Sequence, residues 1–308
     1  MSFLKILIVC ITLVTAQIAT AVVPDGGWYF NPNESGRGFN IEIQNNTLFM
    51  AAFIYDVSGN PIWLVSGGPM STATTYSGDV YQTSSGQPLG GAYRSATITL
   101  YGYVTIDFTT TTTATINLNG VVFSVTRELF GVDFTSTTQP LLGEFGFVTG
   151  DAIFPVYFGD RISFTSIQTI NGSQYAVGNR TGETGANNIA VGQYSPALGQ
   201  WTVLLDSSPS YYEFFTFTFE GVNLVEGTES TFLKTSLPSA SSSTVGNRFK
   251  SAQAAAGSNA PGVKTARVAV AGADSYAAEK ASIQTPSQLA PAELDALHEL
   301  QTVLESLK

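Results

Sequence analysis

Cysteine and histidine are almost missing from this chain. Its 308 residues include one cysteine, Cys10, and one histidine, His298. Cys10 lies in a segment that we predict to be removed, so the mature protein has no thiol for a disulfide, a nucleophile or a metal site. A single histidine excludes histidine-based triads and histidine-rich metal centres. We therefore expect neither a metal nor a cofactor.

Basic residues are also scarce. Residues 22–235 carry six bases against 17 acids, whereas the two signs balance from residue 236 onward. A protein region with this excess of negative charge repels nucleic acid and anionic lipid. We expect neither as a partner.

The first 21 residues have the pattern of an export signal. Lys5 precedes an apolar run at residues 6–14, and an Ala-Thr-Ala cleavage pattern ends at Ala21. The run is well short of the roughly 20 residues that a membrane-spanning helix needs. We predict a signal peptide at residues 1–21 and a secreted, periplasmic or cell-envelope protein.

Helical periodicity is absent between residues 39 and 219. Short runs of Val, Ile, Thr, Phe and Tyr are broken every 8 to 12 residues or so by Gly, Asn or Ser, which is typical of an antiparallel all-β domain. Residues 39–44 alternate, which predicts that Phe39, Ile41 and Ile43 face inward. Residues 47–56 are apolar on both faces and are predicted to form a more central strand.

We predict two β units. About eight strands in residues 22–135, with 96–100 and 104–108 as separate strands, favour a barrel-like first domain. Residues 141–235 repeat the pattern loosely, as a decayed repeat or as strands of one larger sandwich. An outer-membrane barrel is less favoured, because several strands look short for a membrane and the chain ends in a polar helix.

The C-terminal part differs from the preceding residues in composition and periodicity. Residues 236–286 are rich in Ser, Ala and Gly, which predicts a flexible low-complexity linker. Residues 287–308 regain helical spacing and predict an amphipathic helix. This helix either serves self-association or a protein partner, or it rests on its own barrel.

The most chemically mixed segment is residues 27–39, which combines aromatic, amide, acidic and basic side chains with glycines. In one interpretation it is structural, with a Glu34–Arg37 pair pinning a turn. In the other it forms a rim for a polar or glycan ligand, with aromatics supplying contact area. The residues predicted to line that site are Trp28, Tyr29, Asn31, Glu34, Arg37, Tyr55 and Trp63.

The motif GWxxNPxESGRGF in residues 27–39, followed by the aromatic run of residues 48–63, resembles a module of exported proteobacterial β-rich proteins. That family is itself uncharacterised, so the resemblance implies an envelope or secreted β protein and no activity. A broader resemblance is to calycin-type barrels, in which a Gly-x-Trp segment packs against a last-strand arginine. It implies that Arg127 lies over Trp28 and that the other barrel end admits a small ligand.

We predict a binding or surface-associated β protein without chemistry of its own. Two alternatives remain open. One is a carbohydrate-active hydrolase that uses Glu34 and Asp56 as paired carboxylates. The other is a purely structural envelope protein.

Overall fold

The computed structural model describes residues 22–150, 156–181, 188–251 and 273–308. These residues form two compact units, divided after Glu128. Each unit contains a closed antiparallel barrel of eight strands. The predicted all-β fold with two β units is therefore confirmed, with barrels rather than a sandwich. The predicted signal peptide lies outside the described residues.

The first barrel follows chain order throughout. Its strands are β1 (Gly27–Phe30), β2 (Gly38–Gln44), β3 (Thr47–Tyr55), β4 (Pro61–Pro69), β5 (Thr75–Ser84), β6 (Thr97–Phe108), β7 (Thr113–Leu118) and β8 (Val121–Arg127). Each strand pairs with the next, and β1 also pairs with β8. Asn45 and Asn46, between β2 and β3, both have positive φ, as in the tight turns that match strand twist.

The interior of the first barrel is filled by side chains. Phe39 and Ile41 point inward as the alternation predicts, and Tyr29, Met50 and Tyr76 join them with almost no exposed surface. An eight-stranded barrel is just wide enough to be filled in this way. The ligand space that the calycin resemblance implies is therefore occupied by the protein's own core.

Strand β6 differs from the prediction of two separate strands at 96–100 and 104–108. It runs without a break, with a register shift where Val80 pairs with Gly102 and Tyr81 pairs with Leu100. The extra residue forms a β-bulge, which bends a strand without ending it. Asn119 supports the bulge, since its Oδ1 accepts a hydrogen bond from the backbone N–H of Tyr103 at 2.9 Å.

The second barrel follows the same order. Its strands are β9 (Gly143–Gly150), β10 (Tyr157–Ile170), β11 (Ser173–Arg180), β12 (Ile189–Ser195), β13 (Gln200–Asp206), β14 (Tyr211–Phe219), β15 (Leu224–Leu233) and β16 (Ala240–Lys250). Strand β16 closes the barrel by pairing with both β15 and β9, and the short β17 (Thr285–Pro286) pairs with its N-terminal end.

Strand β16 lies inside the segment that composition predicts to be flexible. Its inward residues Ser242, Thr244 and Gly246 are small, and at Gly246 the side chains of the two neighbouring strands leave little space. A side chain at Gly246 would meet the ring of Phe147 at 2.7 Å. Thr244 is buried and accepts a hydrogen bond from Thr149 at 2.9 Å. Composition alone misses this strand, because its order comes from backbone pairing on both sides and not from large apolar residues.

Both barrels close in the same register. Tyr29 on β1 pairs with Arg127 on β8, and Phe145 on β9 pairs with Arg248 on β16. Arg127 packs against Gly27 and donates from Nε to the carbonyl of residue 26 at 2.8 Å, rather than lying over an indole. Arg248 lies over the ring of Phe145 at 5.1 Å. The predicted repeat stays a prediction, and this shared closure supports it.

Two helices pack on the second unit. Helix α1 (Ala273–Ser282) also falls within the segment that we predicted to be a flexible linker, and α2 (Pro291–Ser306) matches the predicted terminal helix. The apolar face of α2, including Leu297, Leu300 and Leu304, is buried against the outer side of β12 and β13. The helix thus rests on its own barrel, and the face suited to self-association is used within the chain.

The closure predicts a strong requirement for glycine at residue 143. Gly143 has φ of +127°, and a Cβ there would meet the carbonyl oxygen of Lys250 at 2.5 Å. Gly143→Ala should lower the free energy of unfolding by about 1–3 kcal/mol, because an alanine is strained at positive φ. Urea unfolding of the full chain measures this loss.

Gly131→Ala is the matched control, since a Cβ at Gly131 meets nothing within 4 Å. It should leave the urea midpoint nearly unchanged. Equal midpoints for Gly143→Ala and the unsubstituted protein would contradict the role of this glycine.

Candidate functional site

The outer face of β3 is unusually aromatic for a wall that faces solvent. Phe49, Phe53 and Tyr55 alternate along it, and Tyr55 is 55% exposed. The apolar pattern on both faces, from which we predicted a more central strand, therefore corresponds to one buried face and one exposed face. The inward residues of β3 pack in the barrel interior. Within the described residues, no other element of the first unit covers the outward ones.

Three rings form a continuous strip across the outside of β1 to β4. The rings of Trp28 and Phe53 are 5.6 Å apart, and those of Phe53 and Trp63 are 5.7 Å apart. Trp63 is 61% exposed. We call Trp28, Phe53 and Trp63 the aromatic strip.

Strand register explains why these rings meet. Phe53 pairs with Trp63 on one side and with Gly38 on the other. Because Gly38 has no side chain, the indole of Trp28 lies directly over its backbone and reaches Phe53. The glycine in the mixed segment therefore provides the space through which the strip continues.

The polar residues of the mixed segment bond mainly to one another. In the loop between β1 and β2, Glu34 forms an ion pair with Arg37 and accepts a hydrogen bond from Asn31 Nδ2 at 3.2 Å. The guanidinium of Arg37 lies 5.1 Å from the ring centroid of Phe123. The predicted pinning pair is present, and it holds the loop beside Gly38 at one end of the strip.

Tyr29 does not belong to this surface. Its side chain points into the barrel, where its hydroxyl donates to the carbonyl of Asp25 at 2.6 Å. Burial, followed by the charge of Asp25, raises its pKa well above the ordinary value. From the predicted ligand set, the structure therefore links Trp28 and Trp63 through Phe53, places Tyr55 on the same outward face of β3, and separates Tyr29 from them.

Asp56 shapes the turn between β3 and β4. Its Oδ1 accepts hydrogen bonds from the backbone N–H groups of Ser58 and Asn60, at 2.8 and 2.9 Å, and its Oδ2 accepts one from the amide of Asn60 at 3.0 Å. Glu34 is likewise engaged in its own loop. The two carboxylates considered for hydrolysis thus each serve a local structure.

Comparisons with known proteins place no relative beside this chain. No family model matches it, and no curated protein or solved structure matches it. Within the described ranges, no group of three or more His, Cys, Asp or Glu residues is arranged to hold a metal ion. No helix in those ranges is long and apolar enough to cross a membrane.

Sequence reasoning missed Phe53, the central ring of the strip. The signal was available, since Phe49, Phe53 and Tyr55 share one parity in a strand whose other parity is also apolar. A strand that is apolar on both faces is either central or has an exposed apolar face, and in a single-layer barrel the outer face is exposed unless another element covers it.

The packing of Trp28 predicts that Gly38→Ala disrupts the strip. A Cβ at Gly38 would collide with the six-membered ring of Trp28. The indole should move away from Phe53, and the free energy of unfolding should fall by about 1–3 kcal/mol, as for overpacked sites. Near-ultraviolet circular dichroism and urea unfolding of the full chain measure the two effects.

Gly68→Ala in β4 is the control, because the nearest atom to its Cβ would be a Tyr76 ring carbon at an ordinary 3.8 Å. If Gly38→Ala leaves the aromatic dichroism and the urea midpoint as unchanged as Gly68→Ala does, the described packing of Trp28 is wrong.

The turn predicts a low pKa for Asp56. Hydrogen bonds from the Asn60 side chain, and then from backbone N–H groups, lower this pKa below its usual 3.8. Because the folded pKa is the lower one, the stabilisation is present above pH 3.8 and is lost as the pH falls through the folded value. NMR titration of the Asp56 carboxyl carbon should give a midpoint below 3.8, and Asn60→Ala should raise it. A midpoint at or above 3.8 in the unsubstituted protein would exclude this account.

Proposed function

We propose that this chain is an exported, non-enzymatic binding protein whose first barrel holds a glycan on the aromatic strip. The observation that carries the proposal is the row of adjoining rings on a solvent-facing barrel wall. Apolar patches of this kind on soluble proteins are typical of interaction sites.

The strip favours a flat, partly apolar ligand that lies along the wall. Its rings offer contact area with little loss of side-chain entropy, as aromatic residues do in other recognition surfaces. Trp63 is the most exposed of the three and lies near the turn that contains Asp56 and Asn60. Sugars combine apolar faces with hydroxyl groups, so they suit rings beside carboxylates and amides.

The interior of the first barrel supports an external site. Side chains such as Phe39, Met50 and Tyr76 fill it, which leaves the outer wall and the loops for recognition. The signal-like residues 1–21 support an exported location, where cell-wall glycans are available. The local engagement of Glu34 and Asp56 favours binding over hydrolysis.

Binding of an oligosaccharide panel to the purified full chain tests the proposal. Tryptophan fluorescence and thermal melting should both respond, since a ligand at 100 times its Kd stabilises a protein by about 2.7 kcal/mol. Trp63→Ala should weaken binding about tenfold, corresponding to ~1.4 kcal/mol for the loss of one anchoring ring.

Tyr157→Ala is the matched control, because Tyr157 is an equally exposed aromatic residue on the second barrel. It should leave the Kd unchanged. Release of reducing ends that is abolished in Glu34→Gln would replace the proposal with the hydrolase alternative. No response to any glycan would replace it with a structural role.

A further inference from the structure

One end of the second barrel's interior is lined by charged side chains. Asp160 on β10, Arg180 on β11, Glu213 on β14 and Glu229 on β15 all point inward at this end. Helix α1 packs beside β14 and β15 and inserts Lys280 among them. All five side chains are buried, and Lys280 has no exposed surface.

The lysine amine touches three carboxylates. Lys280 Nζ lies 2.5 Å from Asp160 Oδ2, 2.7 Å from Glu229 Oε2 and 3.2 Å from Glu213 Oε2. The other oxygen of Asp160, Oδ1, is 2.8 Å from Arg180 Nη2, which is also 2.8 Å from Glu213 Oε1. Asp160 and Glu213 are thus each held between the amine on one oxygen and the guanidinium on the other, and Asp160 is the closer of the two to the amine.

This cluster is isolated from water. Phe215 provides an aromatic wall, with its ring centroid 5.7 Å from Lys280 Nζ. Tyr276 of α1 packs on Phe158 at 5.4 Å and donates a hydrogen bond to the carbonyl of Gly159 at 2.9 Å. Separate charges in such a place are costly, because each has lost its hydration.

Glu213 and Asp160 differ in pKa. Burial, and then the charge of Asp160, raises the pKa of Glu213 above its ordinary value, which favours its protonated form. Although burial alone favours protonated Asp160, Lys280 and Arg180 keep the pKa of Asp160 below its usual value. The geometry thus places an ion pair between Lys280 and Asp160 beside a carboxyl group of raised pKa.

We propose that Lys280 and Asp160 condense to an amide bond that covalently joins helix α1 to strand β10. The bond forms between Nζ of Lys280 and Cγ of Asp160, and the bond between Cγ and Oδ2 breaks. Two of the three protons on the ammonium leave with Oδ2 as water, and the third stays on the amide nitrogen. The reaction needs no oxidant, reductant or cofactor.

The neighbouring groups suit each step. Glu229 takes one proton from Lys280 so that the neutral amine attacks, and Glu213 delivers its proton to the departing oxygen. A second proton from the nitrogen then returns to Glu213, and the proton held by Glu229 completes the water, so both glutamates end as they began. Arg180 stabilises the negative charge that grows on Oδ1 as Cγ becomes tetrahedral. Reactants held in contact in this way behave as if they were at about 10⁵–10⁸ M.

The product removes two charges from a dry site and releases one water. It also provides a covalent fastening for a protein whose predicted mature chain has no cysteine. The two linked residues are 120 positions apart in the sequence. Helix α1 would then stay attached to the barrel even in denaturant.

Peptide mapping of the purified full chain by mass spectrometry tests the bond directly. After tryptic digestion, the peptides that contain Asp160 and Lys280 should appear as one branched species, lighter than their sum by one water. Trypsin should not cleave after Lys280. The Lys234–Asp206 pair, also at 2.5 Å but with a partly exposed lysine, lies within one tryptic peptide, residues 181–234, which should be cleaved normally after Lys234 and show no loss of water. Linear peptides with cleavage after Lys280 would overturn the proposal.

Two variants distinguish this chemistry from simple proximity. Glu213→Gln keeps the size of the side chain and removes its exchangeable acid, so the branched peptide should fall at least tenfold in yield while the protein stays folded. Asp160→Asn should give the same amide with loss of ammonia instead of water. Full cross-linking in Glu213→Gln would contradict the role of that carboxyl group.

Discussion

The hydrogen bonds that join the first strand of each barrel to its last are the constraint on which both units depend. An eight-stranded sheet without them would expose two edges that are open to pairing with other chains. Once the sheet is closed, one face of every strand points to a narrow interior and the other points away from it. The strand register, with Tyr29 opposite Arg127 and Phe145 opposite Arg248, then decides which side chains go where.

The two barrels close in the same way but differ in where their aromatic and charged side chains lie. In the first barrel, apolar side chains fill the interior, and the aromatic strip lies on the outer wall. In the second, α2 covers part of the outer wall, while one end of the interior holds charged groups around Lys280. A shared scaffold therefore carries an exposed aromatic surface in one unit and a sealed ionic cluster in the other.

Local pattern predicted most of the strands, because alternation in residues 39–44 directly reflects the two faces of a sheet wall. It failed where order comes from distant partners. Strand β16 has a low-complexity composition because it consists largely of small residues, and its Gly246 fits against Phe147 only because it has no side chain. The sequence predicted a more central strand at residues 47–56 and did not single out Phe53, because it does not show that the neighbouring Gly38 opens a path to Trp28. Lys280 carries no local signal, since its three acidic partners come from distant strands.

The late position of Lys280 and β16 has a consequence for the order in which the chain can fold during synthesis. The first barrel is complete once β8 has been made, so it can fold while the rest of the protein is still being translated. The second barrel lacks its closing strand until residue 250 and the second cation of its buried cluster until residue 280. Until then Arg180 alone faces three acids that are to be buried together, which disfavours closure of this barrel before its last segment has been made.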